Sequence, residues 1–153
     1  MIIVQDTREK IPWIFNSFEE CTGQVIETVS AGDYVIKGKE TLITIDRKKR
    51  PAELANNLGM YIKRFEKEMQ KMQYYKNRYV ICEFPYERLL MFPKGSGLSK
   101  RIQRRIRVRG KFLGKQVQRL SEEYEVEFIF CSNRQTAQAR AMELFQEALK
   151  GEE

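Results

Sequence analysis

The 153-residue sequence contains no histidine. That absence removes the usual general base, every Ser-His-Asp arrangement, and the imidazole half of a zinc site. Cysteine is scarce too: Cys21, Cys82 and Cys131 are scattered, with no Cys-x-x-Cys pair. They read as reduced, mostly buried thiols of an intracellular protein. No stretch approaches the roughly 20 apolar residues of a membrane span. The opening residues, Met1-Ile2-Ile3-Val4-Gln5-Asp6, meet an acid too early for a signal peptide. An intracellular location is expected, cytoplasmic or nucleoid-associated, or in the host cell for a viral chain. Internal repeats and long linkers are also missing, so residues 1–153 are expected to form one domain with a real core.

A local absence carries more information. Between Arg88 and Ser121 there is no acidic residue, while Lys94, Lys100, Arg101, Arg104, Arg105, Arg107, Arg109, Lys111, Lys115 and Arg119 all fall there. The whole chain carries a net charge of +7 with a pI near 9.4, which favours a polyanionic partner. A solvated surface is the bland explanation of a charge run, but the arginine richness favours phosphate contact. Leu98, Ile102 and Ile106 keep a helical spacing, and Pro93–Gly97 reads as a flexible loop ahead of it. Within this basic loop and helix segment, at about 94–111, Lys100, Arg101, Arg104, Arg105, Arg107, Arg109 and Lys111 are the expected nucleic-acid contacts.

What is present centres on Gly32–Glu53. Val35–Lys37 and Thr41–Ile45 look like two strands of a hairpin with Gly38-Lys39 as its turn. That turn sets Lys37 opposite Glu40 and Asp33 opposite Thr44. Alternation then puts Thr44, Asp46 and Lys48 on one face with Asp33 as the diagonal neighbour of Asp46. Tyr34, Ile36, Ile43 and Ile45 form the opposite, core-facing side. Arg47 falls on that opposite side, where a structural ion pair is its expected role. Two converging carboxylates beside a lysine are the minimum for a magnesium-type site, which needs one or two protein acids plus water and phosphate oxygens. The chemistry implied is phosphodiester hydrolysis. Lys48 can position or deprotonate the water, or stabilise the transition state, and the sequence leaves these open.

Around the hairpin, Ile2–Gln5 and Gln24–Val29 read as strands, and Pro12, Trp13 and Phe15 as a loop with aromatic anchors. Pro51 suits a first helical turn. Leu54, Leu58, Tyr61, Phe65, Met69 and Met72 then predict one long amphipathic helix. Tyr79–Phe84 and Val126–Cys131 read as buried strands. A helix marked by Phe112, Leu113, Val117, Leu120 and Tyr124 lies between them, and a last one follows the Ser132-Asn133 cap. The order predicts an α/β domain around a mixed sheet.

These blocks resemble the XPF/Hef-type nuclease domain, within the restriction-endonuclease-like metal nucleases. The family pattern runs Asp-x-Arg-Glu at the end of a strand, then Gly-Asp-Tyr, then Glu-Arg-Lys followed by three residues and Asp. Here it meets Asp6-Thr7-Arg8-Glu9, Gly32-Asp33-Tyr34 and Asp46-Arg47-Lys48. The likeness extends through Tyr79–Glu83, Arg109-Gly110 and Phe128–Cys131, nearly the whole chain. It implies a restriction-endonuclease-like mixed central sheet flanked by helices. It also implies Mg2+ or Mn2+ held by Asp33 and Asp46, Lys48 as catalytic lysine, and Asp6, Arg8 and Glu9 as supporting residues. Two departures stand out. Asp46 replaces the usual Glu, and Ala52 occupies the place of the closing acid, with Glu53 one residue later as a substitute ligand.

Such a domain implies an endonuclease acting on branched, flapped or forked DNA during repair, recombination or replication. Members commonly add a helix-hairpin-helix domain, with which this chain does not end, and dimerise through the nuclease domain. A homodimer or a heterodimer with a partner subunit is therefore expected. The alternative is a non-catalytic DNA-binding subunit of a nuclease complex, against which the retained acids argue. An RNA-binding role would rest on the arginines alone.

Overall fold

The computed structural model describes residues 1–152. Six strands form one sheet: β1 (Ile2–Asp6), β2 (Gly23–Glu27), β3 (Tyr34–Ile36), β4 (Ile43–Lys48), β5 (Asn77–Cys82) and β6 (Glu127–Phe130), in the order β2-β1-β3-β4-β5-β6. The β1–β3 and β3–β4 pairs are antiparallel and the others parallel, so the sheet is mixed. Six helices complete the single domain: α1 (Pro51–Leu58), α2 (Ile62–Met72), α3 (Tyr86–Leu90), α4 (Lys100–Arg105), α5 (Gly110–Tyr124) and α6 (Arg134–Lys150).

Strand alternation sorts the core into two layers. Val4, Val35, Val80 and Cys82 meet Leu54, Leu58, Phe65, Met69, Leu113 and Val117 from α1, α2 and α5. On the reverse face Ile3, Tyr34, Ile36, Ile43, Ile45 and Ile81 meet Ala137, Ala141, Leu144 and Phe145 from α6, together with Trp13 and Phe15. Trp13 stacks on Tyr34 at 5.0 Å, and Phe15 meets Phe145 edge-on at 5.9 Å. An unusually aromatic loop thus covers the part of that face that one helix leaves open. Asn133 caps α6 in a reciprocal box with Thr136, as its position before the helix predicts.

Two expectations change. The hairpin is not closed by Gly38-Lys39 alone. Tyr34 pairs with Ile45, and residues 37–42 form the connection. The register is shifted by two residues from the expected one, and because side chains alternate with period two, the facing of every residue survives. The expected long helix is broken into α1 and α2 at Gly59-Met60-Tyr61. A Cβ at Gly59 would lie 2.8 Å from Val108 Cγ2. The break therefore admits the basic segment against α1, a tertiary demand that the apolar period does not reveal. Within that segment α4 is short, starts at a Ser99 cap and buries none of its residues.

Candidate active site

The site forms where β1 and β4 end and β3 begins. Gly32 adopts φ +80°, and a Cβ there would fall 2.1 Å from Thr44 Oγ1 and 3.2 Å from the Ile45 carbonyl oxygen. Only glycine lets the chain turn this tightly against β4. Thr44 in turn donates its hydroxyl to the Ala31 carbonyl at 2.6 Å. The next residue, Asp33, is held from both sides. Its N–H donates to the Ile45 carbonyl and its own carbonyl accepts from the Asp6 N–H, each at 2.8 Å. The Arg47 N–H donates to Asp33 Oδ2 at 2.7 Å, fixing the carboxylate as well as the backbone.

A cleft of about 280 Å³ opens over this corner, lined by Asp6, Arg8, Asp33, Asp46, Lys48 and, from the helices, Asn57, Arg64, Phe65 and Glu68. Asp46 and Lys48 are buried and form an ion pair at 3.1 Å through Asp46 Oδ2. Apart from this ion pair, Asp46 Oδ2 is a buried oxygen with no hydrogen bond. Asn57 Oδ1 is a second one at the same cleft. Burial, and then the charge of Asp46, push the Asp33 carboxyl well above the ordinary range. Two crowded carboxylates and two unsatisfied oxygens suit a hard cation, which would take oxygen ligands and relieve the repulsion. Among the described residues no cluster of three acids forms a ready cage. Burial pulls the Lys48 ammonium down, but Asp46, Glu53 and Asp33 outweigh it and hold it above its ordinary value.

Asp6 lines the cleft with both oxygens engaged. Oδ1 accepts from the Val29 N–H at 2.9 Å, and Oδ2 accepts from Arg8 Nε at 2.8 Å. Glu9 lies elsewhere. Its carboxylate accepts from the Tyr34 hydroxyl at 2.6 Å and from Arg47 Nη1 at 3.0 Å on the reverse face. Arg47 also donates through Nε to Glu83 at 2.7 Å, Trp13 Nε1 donates to the same Glu83 oxygen at 2.6 Å, and the guanidinium lies 5.0 Å from the Trp13 ring centroid. The structural role expected of Arg47 is thus met by two carboxylates behind the site. Glu53 does not line the cleft. It accepts from the Lys49 N–H at 2.7 Å at the start of α1, where only its charge reaches Lys48.

Glu68, Arg64 and Asn57 were not singled out by sequence. Glu68 accepts from the Gly32 N–H at 2.8 Å and so ties α2 to the turn before Asp33. Their only sequence signal is a polar residue near the apolar stripe of a helix, which many solvated positions share. The seven basic residues expected as nucleic-acid contacts, Lys100, Arg101, Arg104, Arg105, Arg107, Arg109 and Lys111, are all exposed. Among the described residues none of them pairs with a carboxylate.

The mixed sheet with acids converging at its strand ends defines the restriction-endonuclease-like class of fold. No family model matches the sequence, and no curated protein does. Solved structures do match. XPF from Aeropyrum pernix aligns at a TM-score of 0.69 and 16% identity over 97% of this chain and 65% of that one. XPF from Aeropyrum pernix in complex with DNA aligns at 0.68 and 19%, over 98% of this chain and 66% of that one. The chain therefore has the XPF nuclease-domain fold and spans just under two-thirds of the length of these neighbours. No helix among the described residues is long and apolar enough to cross a membrane.

Proposed function

We propose that the chain is a DNA-directed endonuclease that hydrolyses phosphodiester bonds in branched, flapped or forked DNA with the help of Mg2+ or Mn2+. The observation that carries this reading is the Asp33–Asp46–Lys48 corner, with a buried Asp46 oxygen whose one polar neighbour is Lys48, inside an open cleft. The similarity in fold to XPF solved with DNA supports the choice of polymer. A divalent cation, when bound, supplies Lewis-acid polarisation of the phosphate and a more acidic water.

The residues of the chain then divide the work. Asp33 and Asp46 would hold the cation, and Asn57 Oδ1 is placed to accept a hydrogen bond from a water in the same cleft. Lys48, 3.1 Å from Asp46, is placed to balance the negative charge that builds on the phosphorus-bound oxygens. Arg8 and Arg64, at the rim, suit the flanking phosphates. Asp6 holds Arg8 and the residue 29 turn in place, and Glu9 acts from behind through Arg47 and Tyr34. The exposed arginines around α4 supply affinity for the DNA backbone. Assembly as a homodimer or with a partner subunit through this domain belongs to the same reading, and sedimentation of the purified protein tests it.

The decisive experiment is a cleavage panel over single-stranded, duplex, flap, fork and four-way DNA, with and without divalent metal. Metal-dependent nicking of branched forms is expected, with Asp33→Asn and Lys48→Ala inactive. Activity in those variants equal to that of the unaltered protein would remove the assignment.

A further inference from the structure

A second concavity lies on the other side of α1 from the cleft. It encloses about 530 Å³, within the roughly 300–1,000 Å³ range of small-molecule sites. Ala52 and Met60 line it from α1 and the residues just after, and Leu98, Arg105, Ile106 and Arg107 line it from the basic segment. We propose that this groove binds one unpaired nucleotide of the DNA substrate, away from the bond that is cut. The identity of the polymer rests on the nuclease reading above.

The chemistry of the lining selects the occupant. Met60 is 79% exposed and Leu98 37%, and α4 beside them buries nothing. Ile106 and Val108 pack on the core from the floor of the basic segment, whereas Met60 and Leu98 are offered to solvent. Ala52 contributes only a methyl group, so α1 leaves space where a larger residue would close it. The groove thus accepts a flat apolar body, and the neighbouring guanidinium groups demand that the body carry negative charge. No acid lies between Arg88 and Ser121, and Glu53, the one acid of α1, is turned to the Lys49 N–H. A nucleotide has both properties, with a base face for the walls and a phosphate for Arg105 and Arg107. In duplex DNA the base faces are covered by their neighbours, so the nucleotide must be unpaired.

Location agrees with the lining. Asn56 of α1 faces the groove and Asn57 faces the cleft, so a single helix separates the two. A helix is about 10–12 Å across with its side chains. At about 3.4 Å per stacked nucleotide, the bound base lies roughly three nucleotides from the bond in the cleft. A duplex arm ending in an unpaired strand therefore fits both sites at once, whereas continuous duplex fits only the cleft.

The binding test uses the full chain without divalent metal, so that no DNA is cut, and the cleavage panel with metal is run beside it on the same variants. Fluorescence anisotropy compares a splayed-arm DNA with a blunt duplex of equal charge, for the unaltered protein and for Met60→Gln and Leu98→Asn, both at exposed positions. The unaltered protein should prefer splayed DNA. Each variant should lose about tenfold on it, the lower part of what one stacked base contributes, and stay within about twofold on duplex. Photocrosslinking of 5-iodouracil about three nucleotides into the unpaired arm should mark peptides carrying Met60 or residues 98–108. Equal loss on both DNAs, no loss, or crosslinks mapping elsewhere would overturn the proposal. A preference for splayed DNA that the variants lose, in a protein that never cuts, sustains the groove and removes the nuclease reading. Metal-dependent cutting by variants that bind both DNAs normally does the reverse.

Discussion

Arg47 offers the sharpest test of how the site is supported. Its side chain is 1% exposed and lies between Glu9 and Glu83, which are 9% and 8% exposed. Burial alone would lower the guanidinium, yet Glu83 and Glu9 hold it above its ordinary value. Arg47→Met keeps much of the volume and removes the charge. Two nearly buried carboxylates then lose their counter-charge, and Trp13 loses its cation. Breaking a buried pair from one side costs about 3–5 kcal/mol, out of a total domain stability of about 5–15 kcal/mol. For a chain of this size that corresponds to a fall in Tm of about 6–20 °C. Urea unfolding should show a lower midpoint with an unchanged slope, since the surface exposed on unfolding is nearly the same. Adding Glu9→Gln and Glu83→Gln to Arg47→Met should return part of the loss, because no uncompensated charge then remains. A cost below about 1 kcal/mol, the scale of an exposed pair, would refute the buried-network account.

Three further outcomes are expected. Gly32→Ala should destabilise by at least about 1–2 kcal/mol from the left-handed backbone alone, and more from the clash with Thr44, as read by thermal unfolding; an unchanged Tm would contradict the close approach. For Asp6, burial raises the carboxyl but hydrogen bonds from the Val29 and Arg8 N–H groups and Arg8 Nε outweigh it, leaving it below its ordinary value. Its contribution is then present above the unfolded value of about 3.9 and is lost as pH falls through the folded one, so the stability gap between the unaltered protein and Asp6→Asn should shrink below about pH 4; a constant gap in urea titrations would exclude this. Replacing Lys100, Arg101 and Arg104 together by Ala should reduce the slope of log affinity for duplex DNA against log salt by about 2.7, near 0.9 for each phosphate no longer neutralised. An unchanged slope would place the DNA elsewhere.

The alternation of β4 made its facing legible: Asp46 and Lys48 towards the cleft, Arg47 behind. This held although the hairpin register was displaced by two residues, because an even shift preserves facing. Period, by contrast, could not see the break at Gly59, since apolar spacing continues through it and its cause, Val108, lies 49 positions further along the chain. The same reason hid Asn57, Arg64 and Glu68. Each joins the cleft only when α1 and α2 fold over the sheet, and nothing in their neighbours' sequence marks that approach. The family pattern did point to Glu9, but not that its carboxylate would serve the reverse face through Tyr34 and Arg47. The five residues of α3 were too few to show a period.

The Lys37–Leu42 connection sits at the end of the sheet opposite the cleft. From Lys39 to Asp46 the chain covers at most about 25 Å at extended spacing. Lys37–Thr41 are exposed; Lys37 pairs with Glu27 and Lys39 with Glu152, while the Glu40 carboxylate accepts from the Gly38 N–H, and none of them meets a residue of the cleft. A fluorophore carried at this tip would therefore ride on the same hairpin that holds Asp33 and Asp46 while lying at the end away from the cleft. It would turn the hairpin into a built-in ruler, reporting the distance between this tip and a second dye carried on a test DNA.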